Sequence, residues 1–198
     1  MQKEFVSLID SICDKKNYVK ILLEKEEVQV ISIKNYVINV ERYNDKIDDL
    51  IEICTQVNLC QILVFTNSKK SADHLNNQLT KKGQTSEVIH AEITNRNEII
   101  ERFRTGKIRF LIATDILGRG IDVTQVGIVI NYEMPFGYDE YMHRVGRSGR
   151  YGRNGIAINI VSNDSKDTEY LENIRKQYKI DFIDMPDIIE LIEQLKNN

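Results

Sequence analysis

The stretch QILVFTNSKKSADHLNNQLTKKGQTSEVIHA, residues 61–91, decides the architecture. Residues 62–65 form an unbroken apolar run, short for a helix and suited to a strand covered on both faces. The polar residues Thr66, Asn67 and Ser68 follow, and then Ala72, Leu75 and Leu79 recur at helical spacing. Gly83 is a stop signal, because glycine takes the left-handed conformation that closes many helices. Residues 85–89 read as the next strand. Strand, helix and strand in one short span make a βαβ unit, whose crossover helix implies parallel strands.

The same alternation continues in both directions. Upstream, Tyr36, Ile38 and Val40 alternate with polar neighbours as a strand, and Ile47, Leu50, Ile51 and Cys54 mark a helix. Downstream, Ile99, Ile100 and Phe103 mark a helix stopped by Gly106, and residues 110–113 and 128–130 are buried runs. Residues 138–144 suit a short helix, and Ile156, Ile158 and Ile160 begin a strand. Tyr170, Leu171, Ile174 and Tyr178 stripe one more helix, and Ile188, Ile189, Leu191, Ile192 and Leu195 stripe the last. Near the start, Phe5, Leu8, Ile9 and Ile12 lie on one helical face, ahead of a charged, weakly periodic stretch with one short strand around 28–31. The pattern predicts an α/β fold with a mostly parallel sheet and helices on both faces.

Composition narrows the function classes. The 198 residues hold 27 Lys and Arg against 30 Asp and Glu, a formal net charge of −3. With 41% hydrophobic and 29% charged residues, enough apolar surface exists to offset ordering entropy, which excludes a disordered chain. The apolar runs are too short to cross a bilayer, and no basic-then-apolar leader opens the sequence, so neither a membrane partner nor secretion is expected. The three cysteines, Cys13, Cys54 and Cys60, are odd in number and form no C-x-x-C pair. That argues against a disulfide framework or a four-ligand zinc site and fits a reducing, intracellular compartment. Net acidity also means that any nucleic-acid site is a local positive patch on an acidic body.

In open α/β sheets, ligands bind beyond the carboxyl ends of the strands. Thr66, Asn67 and Ser68, then His90, then Thr114 and Asp115 follow three predicted strands and so share one edge. Ser68 alone is equally suited to capping the helix behind it. The sharpest signal is HRVGRSGRYGR, residues 143–153, with four arginines and no acidic residue. Glycine admits close backbone approach, and the guanidinium fork matches phosphate oxygens. Four crowded guanidiniums call for an anion. The second signal, ATDILGRGID at 113–122, follows a buried strand directly. Thr114 offers a hydroxyl and an N–H to phosphate, Arg119 stands between Gly118 and Gly120, and Asp122 suits a ribose hydroxyl.

These segments resemble motifs of the DEAD-box RNA helicases, in their C-terminal RecA-like domain. T-D-x-x-x-R-G-I/L-D is met at Thr114, Asp115, Arg119, Gly120, Ile121 and Asp122. H-R-x-G-R-x-G-R is met in full from His143 to Arg150, and Val64-Phe65-Thr66-Asn67-Ser68 matches motif IV. Residues 152–161 and Asp184-Met185-Pro186 are most similar to the translation initiation factor 4A branch. The resemblance implies a RecA-like three-layer αβα domain over 35–198, preceded by a helix over 1–22 that resembles the end of the N-terminal RecA-like domain and by an interdomain linker over 23–34. It implies that Arg147 and Arg150 contact the ATP phosphates across an interdomain cleft, and that His143 couples the nucleotide state to the other domain. Gly120, Asp122 and Tyr151 complete the nucleotide contacts. Thr66, Asn67, Arg96, Thr114, Asp115 and Arg119 face the sugar–phosphate backbone of single-stranded RNA, without a base code.

Two departures accompany it. The family's H-G-D-x-x-Q-x-x-R is shortened here to residues 90–96, with Ala91 in place of the glycine and no counterpart of the glutamine, which implies an altered RNA path. The 198 residues also hold neither a G-x-x-x-x-G-K-S/T phosphate loop nor a D-E-A-D sequence. The implied function is therefore that of the C-terminal half of an ATP-dependent helicase, inactive alone, with ATP and Mg2+ bound mainly by an N-terminal RecA-like partner domain. Scaffold proteins of translation initiation or of the exon junction are the implied protein partners, in cytoplasm or nucleus. A non-catalytic RNA- or protein-binding module is the rival reading.

Overall fold

The computed structural model describes residues 33–57, 61–115, 126–148, 155–187, 190, 191 and 193. The predicted helix over 1–22 and most of the predicted linker lie outside these residues. Seven strands form one sheet: β1 (Ile33–Val40), β2 (Ile62–Phe65), β3 (Ser86–Ile89), β4 (Phe110–Ala113), β5 (Ile128–Asn131), β6 (Gly155–Ser162) and β7 (Phe182–Asp184). Their spatial order is β3-β4-β2-β5-β6-β1-β7, and every pairing is parallel. Among the described residues five helices lie in their connections: α1 (Lys46–Gln56), α2 (Lys69–Lys81), α3 (Arg96–Arg104), α4 (Tyr138–Val145) and α5 (Asp167–Tyr178).

The helices divide by the direction of their crossovers. α1 and α2 lead connections that run toward β3, and they pack on one face. There Leu50, Ile53, Leu75 and Leu79 meet Ile62, Val64, Ile112, Ile130 and Ile158. α3, α4 and α5 lead connections that run the other way, and they cover the opposite face. A single crossover hand requires this split. Alternate residues of the same apolar strands therefore feed two cores: Val64 faces α1 and α2, whereas Leu63 and Phe65 face α3. Burial on both faces explains why the central strands read as unbroken apolar runs.

The stop signals act as the sequence implies. Gly83 and Gly106 take positive φ, 79° and 73°, just past α2 and α3. Ser68 caps α2, its Oγ accepting from the Ser71 N–H at 3.1 Å. Two elements go beyond the sequence reading, a 3-10 turn at Tyr43–Asp45 and the edge strand β7. Of the predicted last helix, Glu190, Leu191 and Glu193 are described and helical, with Leu191 fully buried in the α1–α2 core.

Candidate functional site

The carboxyl ends of β2, β4 and β5 lie side by side, and one arginine ties all three together. Arg144, in the last turn of α4, is 1% exposed. Its Nε donates to Asp115 Oδ1 at 2.6 Å and its Nη2 to Asp115 Oδ2 at 2.5 Å, a bidentate pair just past β4. Nη2 also donates to Asn67 Oδ1 at 2.7 Å, past β2. Nη1 reaches the Glu133 carbonyl at 2.7 Å and Asn131 Oδ1 at 3.4 Å, at the end of β5. The guanidinium lies 5.3 Å from the centroid of Phe65. Each direction of the fork has an acceptor or a ring, which is what a buried cation requires.

This arrangement corrects the expectation that the guanidiniums of 143–153 all await an external anion. For Arg144 the anion is internal, the Asp115 carboxylate. Of its companions, Arg147 is half-buried immediately beyond α4, its backbone held by Arg144 and Val126. His143 is exposed on α4. Arg150 and Tyr151 lie outside the described residues, as do Arg119, Gly120 and Asp122. Gly146 sets the start of the turn that leads to Arg147. A Cβ there would stand 2.8 Å from the Met142 carbonyl oxygen, so only glycine fits without a backbone shift.

Of the residues expected to face RNA, those that are described follow the carboxyl ends of β2, β3 and β4. Thr66 is fully buried, its hydroxyl donating to the Ser68 carbonyl at 3.3 Å. Asn67 is engaged at both ends of its amide, since Nδ2 donates to the Met134 carbonyl at 2.8 Å while Oδ1 takes Arg144. Arg96 opens α3 and folds back onto its own loop, donating to the carbonyls of Ile93, at 2.9 Å, and Ala91. Around it, Lys69 pairs with Glu92, and His90 Nε2 stands 3.3 Å from Asp73 Oδ1. Thr114 differs from all of these: its Oγ1 is the one buried side-chain nitrogen or oxygen among the described residues that has no hydrogen-bond partner.

Sequence reasoning missed Asn131 and Glu133, although the rule that found Thr66 and Thr114 applies to them, because they too follow a buried strand. The Glu133 carboxylate accepts from the Asn67 N–H at 2.5 Å, the Tyr43 hydroxyl at 2.5 Å and Ser71 Oγ at 2.9 Å. Burial and the neighbouring Glu133 together push the Tyr43 phenol above its usual range, which keeps it a neutral donor. Burial likewise raises the Cys54 thiol to about 12, so Cys54 is an inert core residue. Among the described residues no three His, Cys, Asp or Glu side chains gather as ligands for a metal ion. Nor is any described helix long and apolar enough to cross a membrane.

Comparison with known proteins agrees with the geometry. Residues 45–152 match the family described as "Helicase conserved C-terminal domain". The chain is 41% identical over 149 residues to the ATP-dependent RNA helicase eIF4A of Lodderomyces elongisporus, covering 74% of this chain and 38% of that protein. It is 39% identical over 165 residues to eukaryotic initiation factor 4A of Dictyostelium discoideum, covering 82% of this chain and 40% of that protein. The chain thus spans about two fifths of the length of these curated relatives. The structure of S. cerevisiae Dbp5 bound to RNA and ADP BeF3 superposes with a TM-score of 0.83 at 29% identity, over all of this chain and 52% of that one. With a RecA-like sheet, its motif ends gathered at one edge and these relatives, the chain belongs to the helicase conserved C-terminal domain family, as a DEAD-box domain of the eIF4A type.

Proposed function

We propose that this chain acts as the C-terminal half of an ATP-dependent RNA helicase. In this reading it grips the sugar–phosphate backbone of single-stranded RNA and presents Arg147 and Arg150 to ATP held by an N-terminal RecA-like domain. The observation that carries the reading is the orphaned Thr114 hydroxyl, set between the β2 and β3 ends beside the Arg144–Asp115 lock. A buried hydroxyl without a partner costs about 1–3 kcal/mol, and a phosphate oxygen arriving at this edge relieves that cost. The lock also fixes the first residue of the 115–122 segment, which carries Arg119 and Asp122. That S. cerevisiae Dbp5 is seen with RNA and ADP BeF3 supports RNA and a nucleotide as the ligands in this reading.

Catalysis follows from charge. Phosphoryl transfer spreads negative charge over the equatorial oxygens, where a positioned arginine is worth about 10³–10⁵ in rate. Mg2+ would belong with the phosphates and the N-terminal domain. Partners are the N-terminal domain, RNA and scaffold proteins of translation initiation or the exon junction, in cytoplasm or nucleus.

The test is to fuse the chain behind an eIF4A N-terminal domain and measure RNA-stimulated ATP hydrolysis. Activity well above that of the N-terminal domain alone is expected, and Arg147→Ala should remove it, with circular dichroism used to check that the variant is folded. A second reading, a non-catalytic RNA- or protein-binding module, draws on the internal engagement of Asn67, Asp115 and Arg96. It predicts a fusion that binds RNA yet hydrolyses ATP no faster than the N-terminal domain alone.

A further inference from the structure

A second buried ion pair lies behind the same edge, and none of the motifs contains it. Lys46, the first residue of α1, is fully buried. Its Nζ donates to Asp167 Oδ2 at 2.5 Å, the Tyr132 carbonyl at 2.6 Å and the Ile160 carbonyl at 2.7 Å, so each of its three N–H bonds has an acceptor. Asp167, the first residue of α5, is 5% exposed. Its Oδ2 also accepts from Ser165 Oγ at 2.7 Å and Ser162 Oγ at 3.2 Å. Its Oδ1 takes the Met134 N–H at 3.0 Å.

From Met134 the path is continuous. The Met134 carbonyl accepts from Asn67 Nδ2 at 2.8 Å, Asn67 Oδ1 accepts from Arg144 Nη2 at 2.7 Å, and Arg144 grips Asp115. The two ion pairs, one buried and one half-exposed at Asp115, are thus joined through the Met134 backbone and one amide side chain. Neither Lys46 nor Asp167 is exposed to a ligand, so any part they play is indirect. Their pair holds the connection between β5 and α4, which carries the acceptor that orients Asn67. An asparagine amide held at both ends has a single orientation, and the fork of Arg144 depends on its oxygen.

We propose that Lys46 and Asp167 are positioning residues, which set Asn67 and Arg144 for the RNA-facing edge through Met134. The effect on RNA rests on the helicase reading, whereas the positioning itself does not. The test uses the full 198-residue chain. The variants are Asp167→Asn, the paired apolar replacement Lys46→Met with Asp167→Leu, Asn67→Ala alone and with Asp167→Asn, and Leu79→Ala. The last is a core truncation near the C-terminal end of α2, away from the strand ends that hold Asn67 and Arg144, and it serves as the stability control. Two readouts are taken: affinity for a fluorescein-labelled oligouridylate at low salt, and the NMR resonances of Arg144 Nε–H and Asn67 Nδ2–H.

Asp167→Asn is expected to move both resonances and weaken RNA binding about tenfold, the scale of coupling between networked neighbours. It should add little in the Asn67→Ala background, and Leu79→Ala should do neither at an equal loss of Tm. If Asp167→Asn does not fold, the paired apolar replacement carries the test. Unmoved resonances in a folded variant overturn the proposal, as does Leu79→Ala reproducing the shifts. If the parent chain binds no RNA, the RNA reading fails, and the resonances alone decide the positioning claim.

Discussion

Arg144 and Arg147 are three residues apart in one arginine-glycine run, yet they are buried to different degrees. Arg144 is sealed between Asp115, Asn67 and the Glu133 carbonyl, whereas Arg147 stands half-buried past the end of α4. A lysine in place of Arg144 would offer a point charge where four acceptor groups need a planar fork. Arg144→Lys should therefore destabilise the fold by about 1–3 kcal/mol, the cost of leaving buried acceptors without a donor while the charge is kept. Urea unfolding measures this directly. Asp167 gives the corresponding pH prediction. Burial raises its carboxyl, but the Lys46 ammonium and the hydrogen bonds from Lys46, Ser165 and Met134 outweigh that and hold it below the usual carboxylate range. A depressed carboxylate stabilises the fold fully above its unfolded value of about 3.9, and that stability is lost as pH falls further, through the folded value. Stability measured by urea unfolding from pH 6 downward should therefore fall below about pH 4. The Asp167→Asn slope should be shallower there, and an equal slope in both proteins would contradict this account.

Gly146 shows how an element's end carries function. Its N–H closes α4 onto the Met142 carbonyl, and the same carbonyl leaves no room for a Cβ. Gly146→Ala should cost about 1–3 kcal/mol, as overpacking against unyielding atoms does, and should displace Arg147. In the two-domain fusion that predicts a fall in ATP hydrolysis larger than the fall in RNA affinity. The elements that were legible in the sequence are those whose burial is uniform. The strands β2 and β4 are four-residue apolar runs and β5 is a three-residue run closed by Asn131, each buried throughout, and their pattern reads as covered strands. β7 was not legible, because of Phe182, Ile183 and Asp184 only Phe182 is buried, and the strand exists by pairing with β1. The candidate site divides in the same way. Thr66, Asn67, Thr114 and Asp115 followed from the rule that ligands gather at strand ends. The partnership of Lys46 with Asp167 spans 121 residues of sequence, and no local periodicity encodes it.

Over the whole molecule the charges nearly cancel, 27 basic against 30 acidic residues, so bulk attraction to RNA is absent. Several basic residues are already paired internally, among them Lys46, Lys69, Arg102 and Arg144. Affinity must then come from a few directed contacts at the carboxyl edge, and a single lobe that makes few of them binds weakly. Joining it to a second lobe that holds the same strand raises binding through effective concentration, by about 10²–10⁴ without any new contact. The salt dependence separates directed contacts from incidental charge. Each phosphate neutralised on a single strand contributes about −0.7 to the slope of log affinity against log salt. Arg119→Ala should flatten the slope of the fusion protein by about 0.7, the share of one lost phosphate. Arg104→Ala removes an arginine that is half-exposed on α3 beside Glu101, away from the strand ends, and should leave the slope where it was. Equal flattening by both substitutions would mean that RNA senses the overall field of the domain, and the backbone-gripping edge would then have no support.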